Sequence, residues 1–220
     1  MSLFVKIFIP TLYLDDDFIC LQSCFCLLRL LLKYHDPEIC NVLLTAGVPP
    51  ELYATSWFFT LFANKCQSVN LILELWVRLL QERNSVNQVQ ASKIKWWKNR
   101  CIFSLSLSLV LLNKDSIMIC DKSELPELMS GLNFENLNQL ELIMEIAEEV
   151  YQSTPISFWE SDEMNILFGE NSQHYFRSVM SKEDKIALHL RLERYQCLPV
   201  MNSEFFQNTY PDIIDYNSCS

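Results

Sequence analysis

Apolar residues recur along this chain mostly at helical spacing. From Phe18 to Tyr34 they are dense nearly all the way round, the pattern of a helix at the centre of a bundle. Asp36-Pro37-Glu38 then opens a short helix, with Asp36 as N-cap and Pro37 in the first helical position. Gly47 closes it, and Pro49-Pro50 starts another over Glu51 to about Asn64. Ser68 caps a helix from Val69 to Arg83, in which Ile72, Leu75, Trp76, Leu79 and Leu80 form one stripe. Leu137, Leu140, Met144, Ala147 and Tyr151 step by three and four along a further helix that stops at Ser153-Thr154-Pro155. Glu141, Glu145, Glu148 and Glu149 fill its solvent side. Ser181-Lys182-Glu183-Asp184 resembles a capping box before Ile186 to Tyr195. The fold class expected is all-α.

Two stretches break the rhythm. Asn84 to Arg100 is polar and then abruptly basic and aromatic, and reads as an inserted loop. From Leu198 onward there are two prolines and no helical period, which reads as a linker toward a second unit. The alternation Ser104-Leu105-Ser106-Leu107-Ser108-Leu109 has the period of a strand, but its position suits a buried helix about as well.

Composition narrows the classes. A length of 220 residues allows one domain and part of a second, and 50% hydrophobic content is enough for a core. A net charge of −10 repels phosphate backbones and disfavours general nucleic-acid binding. Only three glycines occur, which disfavours both phosphate-cradling loops and tight β-hairpins. The nine cysteines are odd in number and mostly lie in apolar runs, as with Cys20, Cys24, Cys26, Cys101 and Cys120. They read as small hydrophobes in a reducing compartment. The longest uncharged apolar stretch, Cys101 to Leu112, is shorter than the roughly 18 residues a membrane span needs. Met1 to Pro10 has one lysine and no small-residue cleavage site, so a buried element is expected there rather than a signal peptide.

Candidate chemistry is sparse. Lys95, Trp96, Trp97 and Lys98 form the sharpest feature outside the expected core. Cations beside indoles suit an acidic peptide or an anionic membrane surface, and equally a loop whose tryptophans pack on the bundle. His35, His174, His189 and the cysteines show no metal-ligand spacing, and no local signature supports a Cys–His nucleophile. His35 is expected to satisfy the helix end after Tyr34. No cofactor or metal is expected. Between Asp121 and Glu170 stand twelve acidic residues against one lysine, a solvated face or a surface for a basic partner.

The segment Leu27-Leu28-Arg29-Leu30-Leu31-Leu32-Lys33-Tyr34-His35-Asp36-Pro37-Glu38-Ile39-Cys40 is distinctive, as are Val48-Pro49-Pro50-Glu51-Leu52-Tyr53-Ala54 and Trp57-Phe58-Phe59-Thr60-Leu61-Phe62-Ala63. Together they resemble the second half of a TBC domain, the all-helical fold of Rab GTPase-activating proteins. Leu75-Trp76, Leu111-Leu112-Asn113-Lys114, Tyr151-Gln152-Ser153-Thr154-Pro155 and Leu167-Phe168-Gly169 are similar to the branch named TBC domain family member 23, which carries a rhodanese-like domain. Family members usually have Trp-Asp where this chain has Trp76-Val77. The resemblance covers roughly residues 1 to 200 and marks Tyr34, His35, Asp36, Pro37, Trp57 and Trp76 as structural motif positions.

That resemblance implies a division into a partial TBC domain over 1–170, with the inserted loop at 84–100, and a linker over 171–220. Active TBC domains carry an Ile-x-x-Asp-x-x-Arg and a Tyr-x-Gln motif, whose arginine and glutamine act on the GTPase. Neither spacing occurs in these 220 residues, so no catalytic residue is expected. The function implied is a non-catalytic adaptor in endosome-to-Golgi vesicle tethering, with golgins and Rab-type GTPases as partners. Its implied place is cytoplasmic, peripheral at the trans-Golgi network and on endosome-derived vesicles, without a transmembrane segment. The alternative is a Rab GTPase-activating protein whose two finger motifs lie in upstream sequence.

Overall fold

A computed structural model describes residues 18–81, 91–169 and 172–196. The expectations for Met1 to Pro10, for 84–90 and for the tail after Leu198 lie outside the described residues. The described chain is all-α, as expected, and its strand-like pairing is one isolated bridge between Cys66 and Phe134.

Helix α1 (Ile19–His35) is buried on nearly every side, with Leu31 and Cys24 wholly inaccessible. Two local devices turn the chain after it. Asp36 accepts from the Ile39 amide at 3.0 Å and caps α2 (Pro37–Thr45), whose proline needs no amide partner in the first turn. Gly47 then takes φ 68°, a left-handed conformation that few other residues adopt cheaply, and a Cβ there would meet open space. Backbone angle alone calls for glycine at this turn.

The helix expected over Glu51 to about Asn64 is broken. Helices α3 (Pro50–Tyr53) and α4 (Thr55–Thr60) are followed by a 3-10 turn at Ala63–Lys65. Leu61 and Phe62 sit at φ 48° and 61°, which costs about 1–2 kcal/mol for each residue with a side chain. Long-range contacts offset that strain. The Trp76 indole donates to the Leu61 carbonyl at 3.0 Å, and the Phe62 ring packs between Trp57 at 6.0 Å and Phe134 at 5.8 Å. The break is imposed by tertiary packing.

Ser68 caps α5 (Val69–Gln81), its hydroxyl accepting from the Leu71 amide at 3.2 Å. Helix α6 (Ala91–Leu112) corrects one expectation and decides one that the sequence left open. Residues 91–100 are helical rather than part of an inserted loop. The Ser104–Leu109 alternation is helical too, and wholly buried. Its serines are tolerated there because Ser106 donates to the Ile102 carbonyl and Ser108 to that of Ser104, both at 2.7 Å. Strand period carries no information when a helix is buried all round.

After α7 (Lys114–Ile119) and α8 (Leu125–Gly131), Asn136 caps α9 (Leu137–Ser153), which packs along α6. Short helices α10 (Ile156–Trp159), α11 (Asp162–Phe168) and α12 (Ser172–His174) lead through a π-helical turn at Tyr175–Val179 to α13 (Lys182–Gln196). Helix α13 lies against α1, with Leu188 and Leu192 1% exposed. Ser181 and Asp184 bond each other reciprocally at its start, as the capping-box reading expects. One contiguous core runs from Cys20 to Leu192, so 172–196 belong to the packed body rather than to a linker.

Candidate functional site

The block from Arg29 to Trp76 builds one corner of the molecule. At the end of α1, the Tyr34 and His35 rings meet edge to face at 5.0 Å. Thr154 donates its one hydroxyl proton to the Val150 carbonyl at 2.6 Å, so at 2.7 Å it accepts from Nε2–H of His35. His35 thus ties α1 to the end of α9, a correction to its expected role on its own helix terminus. The Asp36 amide instead donates to the Leu32 carbonyl. Asp36 also pairs with Lys114 at the start of α7, which joins three elements at one carboxylate.

Burial holds the His35 imidazole down at about 4, so it is neutral at ordinary pH. The unfolded histidine titrates near 6.5 and takes up its proton first. This contribution to stability is therefore complete above about pH 6.5 and is lost as pH falls toward 4. Because the ring is half-buried, the loss between about pH 7 and pH 5 is about 1–2 kcal/mol. Urea melts at the two pH values are expected to show it, with a smaller difference for His35→Gln. Equal pH dependence in wild type and variant would refute this assignment.

Trp57 is wholly buried against Tyr53 at 5.1 Å, and its Nε1 has no hydrogen-bond partner among the described residues. Pro37 serves the start of α2, and Trp76 serves the Leu61 carbonyl. Each of the six motif positions thus has a packing, capping or hydrogen-bonding contact within the fold.

Beside this corner, α1, α2 and the turn into α3 leave an open notch of about 310 Å3. Arg29, Leu32, Leu43, Leu44, Val48 and Pro50 are among its walls. Leu44 is 66% exposed and forms a lip, whereas Leu43 and Tyr53 are buried. Arg29 meets Glu51 at 3.4 Å. The Cys40 thiol in the wall is pushed up by burial, an effect partly opposed by the nearby charges of Lys33 and Arg29. Burial likewise pushes the Tyr53 hydroxyl up, so neither group ionises at neutral pH. Nothing in the notch is an activated acid, base or nucleophile.

Lys95, Trp96, Trp97 and Lys98 fall on the first turns of α6, and their side chains lie outside the described residues. Among the described residues no group of three His, Cys, Asp or Glu could hold a metal ion, and no helix is long and apolar enough to cross a membrane. The acidic stretch is mostly solvated, and two of its carboxylates, one exposed and one buried, pair with arginines. Glu141 pairs with Arg78 at 3.0 Å, and Glu163 is buried against Arg191 at 3.3 Å. The sequence pattern does not disclose the notch. Its one signal is Arg29, a cation within the leucine-rich part of α1.

An all-helical body with this capped, aromatic-filled corner is a class of fold, and comparison places it. The family model of the Rab-GTPase-TBC domain matches residues 1–118, and the chain belongs to that family. It is similar to the TBC domain-containing protein kinase-like proteins of Homo sapiens and Gallus gallus, at 32% identity over 85 residues, which is 39% of this chain. The protein of that description in Dictyostelium discoideum is 32% identical over 95 residues, or 43% of this chain. The matched stretch is 9% of the length of these curated relatives. These matches define the family and not the branch within it.

Proposed function

We propose that this chain is a protein-binding module of the Rab-GTPase-TBC family that works by surface contact and does not itself accelerate GTP hydrolysis. The carrying observation is chemical. Neither the Ile-x-x-Asp-x-x-Arg nor the Tyr-x-Gln spacing occurs in its 220 residues, and a TBC-type mechanism needs both an arginine and a glutamine at the nucleotide. Supporting it, the family-like block of this chain is spent on packing, and the notch beside it is mostly apolar, its one lining cation, Arg29, being paired with Glu51.

By its resemblance to the rhodanese-bearing branch, the module is proposed to act in endosome-to-Golgi tethering, with Rab-type GTPases and golgin segments as partners. The family match favours one other reading, a Rab GTPase-activating protein completed by residues outside this sequence. A single-turnover assay on these 220 residues with a panel of Rab proteins is expected to leave intrinsic hydrolysis unchanged. Stimulation by several orders of magnitude, the effect of an arginine finger, would overturn the proposal.

A further inference from the structure

Sequence spacing offers no Cys–His pair, but the fold makes one. Cys26 stands midway along α1, and His189 and Glu193 stand one turn apart on α13, which lies against it. The Cys26 sulfur is 3.9 Å from Nδ1 of His189, a residue 163 positions further along the chain. On the other side of the ring, Nε2 is 3.5 Å from a Glu193 carboxylate oxygen. That carboxylate favours the proton on Nε2, which leaves Nδ1 as an acceptor facing the thiol. A nucleophile, a base and a third group that orients the base therefore stand in a row. Other thiols differ: burial pushes those of Cys40 and Cys66 up, which keeps them protonated. Access then sets the reagent. Cys26 is 4% exposed, while the His189 side chain beside it is 20% exposed. A bulky electrophile would have to lift α13 off α1, whereas a water-sized oxidant need not.

We propose that Cys26 is a modification site oxidised by hydrogen peroxide, with His189 as its base and Glu193 as the residue that positions that base. The thiol proton passes to Nδ1 of His189. The thiolate attacks one peroxide oxygen, so that an S–O bond forms as the O–O bond breaks. The departing hydroxide takes the proton from Nδ1 and leaves as water. Cys26 ends as a sulfenic acid, its sulfur having lost the two electrons that the peroxide gained. This chemistry is separate from the protein-binding role and does not depend on it.

Timed exposure of the folded chain to hydrogen peroxide tests it. Catalase ends each exposure, urea containing dimedone traps the sulfenic acids, and mass spectrometry with fragmentation places each adduct. Cys20 and Cys24, both buried on the same helix, are the internal references. Cys26 is expected to be oxidised at least roughly tenfold faster than either. His189→Gln is expected to slow Cys26 by roughly tenfold and Glu193→Gln by roughly threefold. The double variant is expected to be no slower than His189→Gln alone, because Glu193 acts through the imidazole. Lost packing alone predicts the opposite sign, since a loosened α13 bares the thiol and speeds its oxidation. Circular dichroism checks that each variant is folded. Glu193 has 52% of its side chain exposed, so Glu193→Gln and the wild-type comparison decide the matter even if the histidine variant does not fold. Even oxidation of Cys20, Cys24 and Cys26, or unchanged or faster oxidation of Cys26 in the folded variants, would overturn the proposal.

Discussion

Trp57→Ala is expected to lower stability by about 4 kcal/mol, while Trp57→Phe lowers it by only about 1 kcal/mol. Alanine leaves a cavity where a wholly buried indole touched the Tyr53 and Phe62 rings, at 5.1 and 6.0 Å. Phenylalanine keeps most of that contact. It also removes an indole N–H that is buried without a partner among the described residues, so part of the lost packing is repaid in desolvation. Chemical denaturation of the two variants checks the contrast. Equal losses would mean that Nε1 has a hydrogen bond in solution.

Phe103→Ala is expected to lower stability by about 4 kcal/mol as well, and its effect spreads further along the chain. The Phe103 ring is wholly inaccessible and lies at 5.6 Å from Phe58 and 5.3 Å from Phe168, both edge to face. Phe58 in turn meets Phe25 at 5.9 Å. Four rings from α1, α4, α6 and α11 thus form one ladder, and Phe103 is the rung joining the first half of the molecule to the second. Its loss is expected to uncouple the unfolding transitions of tryptophan fluorescence and circular dichroism, which coincide in a two-state protein. Coincident transitions in the variant would show that α9 and α13 hold the halves together without it.

The features legible in the sequence are those whose causes are local. Asp36, Ser68 and Ser181 cap helices because a short side chain reaches an amide two or three residues on, so their neighbours in sequence reveal them. Gly47 is legible for the same reason, since its positive φ is a property of one residue. The break at Leu61 and Phe62 is not legible, because the partner that stabilises it is Trp76, fifteen residues away. His35 misleads in the same way: its partner Thr154 is 119 residues distant. The notch is assembled from side chains of three elements, and only Arg29 leaves a trace of it in the pattern. Basic and aromatic residues at 93–100 look like loop because polarity suggests exposure, whereas their backbone continues into the buried serine and leucine run of the same helix.

Helix α13 covers a face of α1, so the first described helix is enclosed only after the last has been made. At a translation speed of roughly 5–20 residues per second, some 160 residues separate the two, an interval on the order of ten to thirty seconds. During it the Leu- and Cys-rich surface of α1 is left without its cover on the ribosome. Synthesis of this chain therefore contains a window in which a chaperone has an apolar target, and the window shuts when Leu188 and Leu192 arrive.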